Sequence, residues 1–211
     1  MKKAILGTMV AGAIAISSAA QAFTIQKAVE VNAFQFNEIL DRHLATDVKV
    51  YTGANPETNK GYVEFRIDGG LQTFEIGMYE GSKELADWKH MIDKTVEWSV
   101  VAATNKVDIE KFYNDYKSTP ETNTLAKLYN CSASGVKCVS TFSSWSDGAK
   151  STMHINLEDG SNQFITFKGQ IPVAEVIKLK ASLDKLEQIW ADRRAELADK
   201  PKGEDKTALF K

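Results

Sequence analysis

Apolar and polar residues alternate with period two in two separate stretches of the chain. In the first, Val63, Phe65 and Ile67 alternate with Glu64, Arg66 and Asp68, and Phe74, Ile76 and Met78 repeat the alternation beyond Gly69-Gly70. In the second, Met153, Ile155 and Leu157 alternate with His154, Asn156 and Glu158, Asp159-Gly160 marks a turn, and "NQFITF" returns. Period two is the signature of a strand with one buried face, and the glycine dipeptides supply backbone a hairpin turn can use. Each hairpin is preceded by another candidate strand, "DVKVYT" or "VKCVSTF", and by a polar turn-rich loop, 53–61 or 143–150.

Each hairpin also leads into a three-four alternation. Ser82 is an N-cap residue for a helix whose face carries Leu85, Trp88, Met91, Ile92 and Val96. Pro172 opens a second helix, read as one continuous element with Val176, Leu179, Leu183, Leu186, Trp190 and Leu197 along one seam. The two seams are expected to bury Trp88 and Trp190 against the sheets or each other. An earlier strand precedes the second unit at "LAKLYNCS" and, less clearly, the first at "EILDRHLA".

The fold class is therefore α+β, read as a tandem duplication of an antiparallel β-sheet unit followed by a long amphipathic helix. The units span 23–107 and 127–199, joined by a connecting segment 108–126 and followed by a charged tail 200–211. Within the joint, Asp108 to Lys117 reads as a short helix carrying Ile109, Phe112, Tyr113 and Tyr116. Near the start, Val29, Val31 and Ala33 alternate like a strand, whereas Phe36, Ile39, Leu40 and Leu44 fit a helical face. The spacing predicts a helix over 33–45.

The first 22 residues read as something other than fold. Lys2 and Lys3 precede an uncharged apolar stretch, Ala4 to Ser17, and Ala20-Gln21-Ala22 is the small-x-small pattern of a cleavage site. The stretch is shorter than the roughly 18 apolar residues a span requires. Residues 1–22 are thus expected to be a cleaved signal peptide of the short, lysine-led bacterial kind, with Phe23 the mature N-terminus. Export to the periplasm, or beyond it, follows, with no membrane insertion after cleavage.

Composition changes the picture little. Without the leader the chain has 189 residues, 24 basic and 28 acidic, and so a mildly acidic balance. A nucleic-acid partner would call for a basic face, so none is expected. The two cysteines, Cys131 and Cys138, flank Ser134-Gly135, and an oxidising compartment makes them a disulfide that staples a hairpin.

Candidate chemistry is sparse. The three histidines, His43, His90 and His154, stand in no metal-ligand spacing, and no hydrolase, metalloprotease or phosphate-loop motif occurs. No catalytic residue, metal or cofactor is assigned. A dispersed hydrolase site built on His43 or His154 and a small-ligand carrier or sensor are the competing readings. The leading expectation is a non-enzymatic protein-binding protein: an inhibitor, an immunity-type protein or an accessory subunit of an envelope assembly. Its candidate contacts are Trp145, Ser144 and Asp147 in one loop, Asn55, Glu57 and Asn59 in the other, and Tyr116 in the joint.

Overall fold

A computed structural model describes residues 25–69, 73–112, 127–130, 137–146, 150–159 and 162–199. Within them the chain is α+β. Four strands come first, β1 (Gln26–Asn37), β2 (Arg42–Ala54), β3 (Gly61–Asp68) and β4 (Thr73–Tyr79), followed by α1 (Lys83–Asn105). Then come β5 (Ile109–Phe112), β6 (Lys127–Asn130), β7 (Lys137–Ser146), β8 (Ser151–Asp159) and β9 (Asn162–Pro172). Two helices, α2 (Val173–Leu183) and α3 (Leu186–Asp199), complete the described chain.

All nine strands belong to one antiparallel sheet of order β4-β3-β2-β1-β9-β8-β7-β5, with β6 also on β7. The first and second units are thus joined in one sheet, where Phe34 and Gln35 of β1 pair with Gln170 and Gly169 of β9. The strands of both predicted hairpins pair antiparallel, but Asp68 pairs with Thr73 and Asp159 with Asn162, so the pairing is not the one that turns at Gly69-Gly70 and Asp159-Gly160 would set. Val63, Phe65 and Ile67 face Met78, Ile76 and Phe74, and Ile155 and Leu157 face Gly169 and Phe167.

The sheet curls strongly. Phe74 on β4 and Phe167 on β9 are four strand positions apart in the sheet order, which in a flat sheet means roughly 19 Å. Their ring centroids are 6.5 Å apart. The inner face of the curl carries Val31, Val48, Val50, Val63, Phe65, Ile67, Ile76 and Ile155, all essentially solvent-free. The helices close it. Ser82 Oγ accepts from Leu85 N–H at 3.2 Å, capping α1, and Leu85, Trp88, Met91 and Ile92 point inward as their spacing demands. Trp88 packs on Phe65 with centroids 4.4 Å apart.

Three local expectations are corrected. Residues 33–45 form no helix. β1 runs to Asn37, turns, and returns as β2, because the inward alternation Val29, Val31, Ala33 continues through the stretch and no partner buries the alternative face. Ile39 is 93% exposed. The segment from Asp108 is not a helix at its start either: Ile109–Phe112 extend as β5 beside the end of β7. The C-terminal helix is also not continuous. At Ser182–Lys185 a tight turn, with Lys185 N–H donating to Ser182 C=O at 3.2 Å, separates α2 from α3. The seam survives the bend: Val176, Leu179, Leu183, Leu186 and Trp190 are all buried. α2 then packs along β1 and α1, while α3 lies on β2 and β3.

Candidate functional site

Among the described residues, the β1–β2 segment exposes apolar side chains at a strand turn. β1 and β2 pair from Gln26↔Thr52 out to Asn37↔Arg42, whereas β3 pairs with β2 only as far as Val48↔Ile67. Residues 34–47 therefore form an arm that outruns β3, with β9 still paired at Phe34 and Gln35. Its turn is held locally. Asn37 Oδ1 accepts from Leu40 N–H at 2.9 Å, and Asp41 adopts the left-handed region at φ 47, which Asp tolerates better than most residues. The arm is also tied at its sides: Lys168 of β9 pairs with Glu38, and Thr46 Oγ1 donates to the Asp68 carbonyl at 3.1 Å.

On this fixed frame the apolar side chains face water. Ile39 is almost fully exposed, Leu40 is 52% exposed and Phe34 39%. Phe36 stacks against His43 at 5.3 Å between centroids. A turn tip is ordinarily polar, so two adjacent branched aliphatic residues there have no folding rationale.

The outer face of β2–β4 carries a second cluster, this one polar. Glu64 is only 9% exposed although it stands on the side away from the helices. One of its oxygens accepts from Tyr62 Oη at 2.8 Å and the other from Arg66 Nε at 2.5 Å. Arg66 also approaches Glu75 at 3.5 Å and stacks over the Tyr51 ring at 4.5 Å. Gly77 makes room: a Cβ there would fall 2.2 Å from Tyr62 Oη. Burial, and then the hydrogen bond to the Glu64 carboxylate, push the Tyr62 phenol well above its ordinary range. The phenol thus donates to the Glu64 carboxylate. The cluster pairs Arg66 with two carboxylates, leaving one net negative charge, and Tyr79, 44% exposed, stands at its edge.

The residues singled out from sequence fall differently. Asn55, Glu57 and Asn59 are in the β2–β3 turn, but the two asparagines serve the turn itself. Asn55 Oδ1 accepts from Glu57 N–H and Thr58 N–H at 2.9 and 3.1 Å, and Asn59 sits at φ 54. Ser144 and Trp145 are not in a loop, because β7 continues to Ser146 and pairs them with Met153 and Thr152. β2 leads into the β2–β3 turn in the same direction as β7 runs to Ser146, the two being separated by β1, β9 and β8 in the sheet, and the arm's tip is at the opposite end of β2. Asp147, Tyr116 and Cys131 lie outside the described residues, and of Cys138 only the backbone is described, opposite Tyr129 and Asp159.

Of the histidines weighed for catalysis, His43 packs on Phe36, and His154 Nε2 lies 3.0 Å from Thr152 Oγ1. Among the described residues no three His, Cys, Asp or Glu side chains gather as a metal would need. No described helix is long and apolar enough to cross a membrane.

The exposed Ile39-Leu40 pair was missed because its spacing from Phe36 and Leu44 mimics a helical face. The signal that would have found it is the flanking Asn37 and Asp41, both turn formers, which bracket the pair. No family model, curated protein or solved structure matches the chain, so its function is argued from its own geometry.

Proposed function

We propose that this chain is an exported, non-enzymatic protein-binding protein whose contact surface is the β1–β2 arm. The observation that carries the reading is Ile39, 93% exposed on a turn fixed by Asn37 and Asp41. Ordering a loop on binding costs free energy, and a tip already held in one conformation avoids much of that cost. An aliphatic anchor on a rigid hairpin is suited to an apolar pocket on a folded partner. The leader-like residues 1–22 and the Cys131–Cys138 disulfide belong to the same proposal, which places the mature chain in the periplasm. The shared order of strands followed by helix in the two halves supports reading them as diverged copies of one unit.

The test is site-directed photo-crosslinking in the exporting cell. A photoreactive residue at position 39 is expected to give one discrete adduct that excess unlabelled wild-type chain competes away. The same probe at Asn59, at the opposite end of the sheet, is expected to give none. Absence of a competable adduct from position 39, or equal adducts from both positions, would overturn the assignment.

A further inference from the structure

We infer that the outer face of β3 and β4 is a second contact site, which takes an arginine or lysine side chain of a partner polypeptide along the row Tyr79, Tyr62 and Glu75. The row lies toward the β2–β3 turn, away from the arm's tip, and does not depend on the arm's assignment.

The row exists because one side chain is missing from it. Ile76 and Met78 point into the core, so residues 75, 77 and 79 of β4 share the outer face, about 7 Å between neighbours. Position 77 is glycine, and the Tyr62 ring from β3 fills it: a Cβ there would fall 2.2 Å from Oη and 2.8 Å from Cζ. The ring therefore lies over the β4 backbone, with Glu75 to one side of it and Tyr79 to the other. The two tyrosine rings are 5.2 Å apart between centroids and tilted by 57°. Burial first, then Glu64, and after them Tyr79 and Glu75, raise the Tyr62 phenol, so all of these groups bear on one another.

Charge selects the occupant. Both oxygens of Glu64 are engaged, one accepting from Tyr62 and the other from Arg66. Arg66 gives its Nε to Glu64, stacks on the Tyr51 ring and approaches Glu75 only at 3.5 Å. The neighbouring charges are balanced. Lys49, opposite Arg66 on β2, pairs with Asp47 at 2.9 Å, and Glu80 pairs with Arg194 at 2.6 Å. The adjoining turn holds one charge of each sign, Glu57 and Lys60. Among the described residues of this face Glu75 is thus the surplus carboxylate, with 32% of its side chain exposed. An anion would be repelled there, and an apolar group would strip water from the carboxylate without replacing it.

Shape separates a side chain from a free cation. Aromatic faces attract cations, and Tyr79 is 44% exposed. Lysine and arginine carry an apolar stem as well as a charged head. Laid along the row, the stem covers the tyrosine rings while the head reaches Glu75. A small free cation engages only one part of it. Tyr62 is already fixed by Glu64 and by its seat on Gly77, so little ordering remains to be done on binding.

The probes are the capped pentapeptide Gly-Ser-Arg-Ser-Gly and its lysine and glutamate counterparts, with methylguanidinium as the free cation. Each is titrated onto the full chain and followed by the NMR signals of the Tyr62 and Tyr79 rings. The arginine and lysine peptides are expected to shift both rings saturably, and the glutamate peptide to leave them unmoved. Glu75→Gln keeps the size of the side chain and the Arg66–Glu64 pair, and Tyr79→Leu keeps an apolar group without the ring. Each is expected to weaken binding about two- to fivefold. Glu187→Gln, which removes an equal charge from an exposed position on α3, is expected to change little. The comparison of Glu75→Gln with Glu187→Gln decides the matter if Tyr79→Leu fails to fold. No saturable shift with either cationic peptide overturns the site, as do equal shifts with the glutamate peptide. Equal losses in Glu75→Gln and Glu187→Gln, or binding indifferent to a folded Tyr79→Leu, overturn it too. Methylguanidinium binding as tightly as the peptides would make the ligand a free cation and overturn the polypeptide named here. The crosslink at position 39 reads the arm alone, so the two assignments fail separately.

Discussion

The indole of Trp190 on α3 stands directly on the backbone of Gly61 at the start of β3, so closely that a Cβ on residue 61 would fall 2.1 Å from the ring. Trp190 Nε1 donates to Thr52 Oγ1 at 2.8 Å, and Thr52 Oγ1 in turn donates to the Tyr62 carbonyl at 2.8 Å. Helix, sheet and turn are fastened at one point. Gly61→Ala is expected to lower stability by about 1–3 kcal/mol, since both a buried ring and a strand backbone would have to give way. Urea unfolding measures this, and an unchanged midpoint would show that α3 is not held there. Trp190→Phe, which keeps a ring but loses the donor, is expected to cost a comparable amount.

Glu80 extends the same fastening and makes it sensitive to acid. Its Oε2 accepts from Gly61 N–H at 2.8 Å and from the Arg194 guanidinium at 2.6 Å. The backbone hydrogen bond first, and Arg194 next, hold the carboxyl below its ordinary range. A depressed carboxyl stabilises the fold above the unfolded-state value of about 4.3, and that contribution is lost as pH falls through the lower folded-state value. Glu80→Gln is therefore expected to cost about 1 kcal/mol at neutral pH and progressively less as the pH falls below about 4. Unfolding curves across this range check the sign. A penalty that grows in acid would contradict it.

The β2–β3 turn offers a contrast between structural and contact roles. Asn59 holds φ 54 and donates its N–H to the Asn55 carbonyl at 2.8 Å. Asn59→Ala is expected to cost about 1 kcal/mol through the left-handed backbone, and Asn59→Gly close to nothing. Thermal melting distinguishes them, and equal losses would mean that the side chain, not the backbone, is what matters at this position.

Ile39 is expected to behave in the opposite way. Ile39→Ser removes an exposed side chain and is expected to change stability by less than about 0.5 kcal/mol. The same substitution is expected to abolish the position-specific adduct when the photoreactive group is moved to Leu40. A large loss of stability would instead make Ile39 a folding residue.

Much of this architecture was legible in the chain, because burial of one strand face and one helix stripe leaves a periodic mark. Val63 to Ile67, Met153 to Leu157, the Ser82 cap and the Val176-to-Trp190 seam are all local consequences of which residues must avoid water. Residues 33–45 carried two marks at once. Strand phase in Val29, Val31 and Ala33 competed with helix phase in Phe36, Ile39, Leu40 and Leu44, and spacing alone gives no means of ranking them. Ser144 and Trp145 were misplaced for a related reason: serines read as loop formers, yet the partner strand β8 holds them extended.

Amino-acid order by itself determined the α+β class, the two hairpins and the apolar stripes, since each depends on neighbours a few residues apart. Tertiary structure alone decided the rest. The curl that brings Phe74 to Phe167, the joining of β1 to β9, the bend between α2 and α3, and the exposure of Ile39 all depend on residues far apart in sequence. Whether an apolar residue is core or contact is set by what is packed against it, and at the end of the arm nothing described covers Ile39.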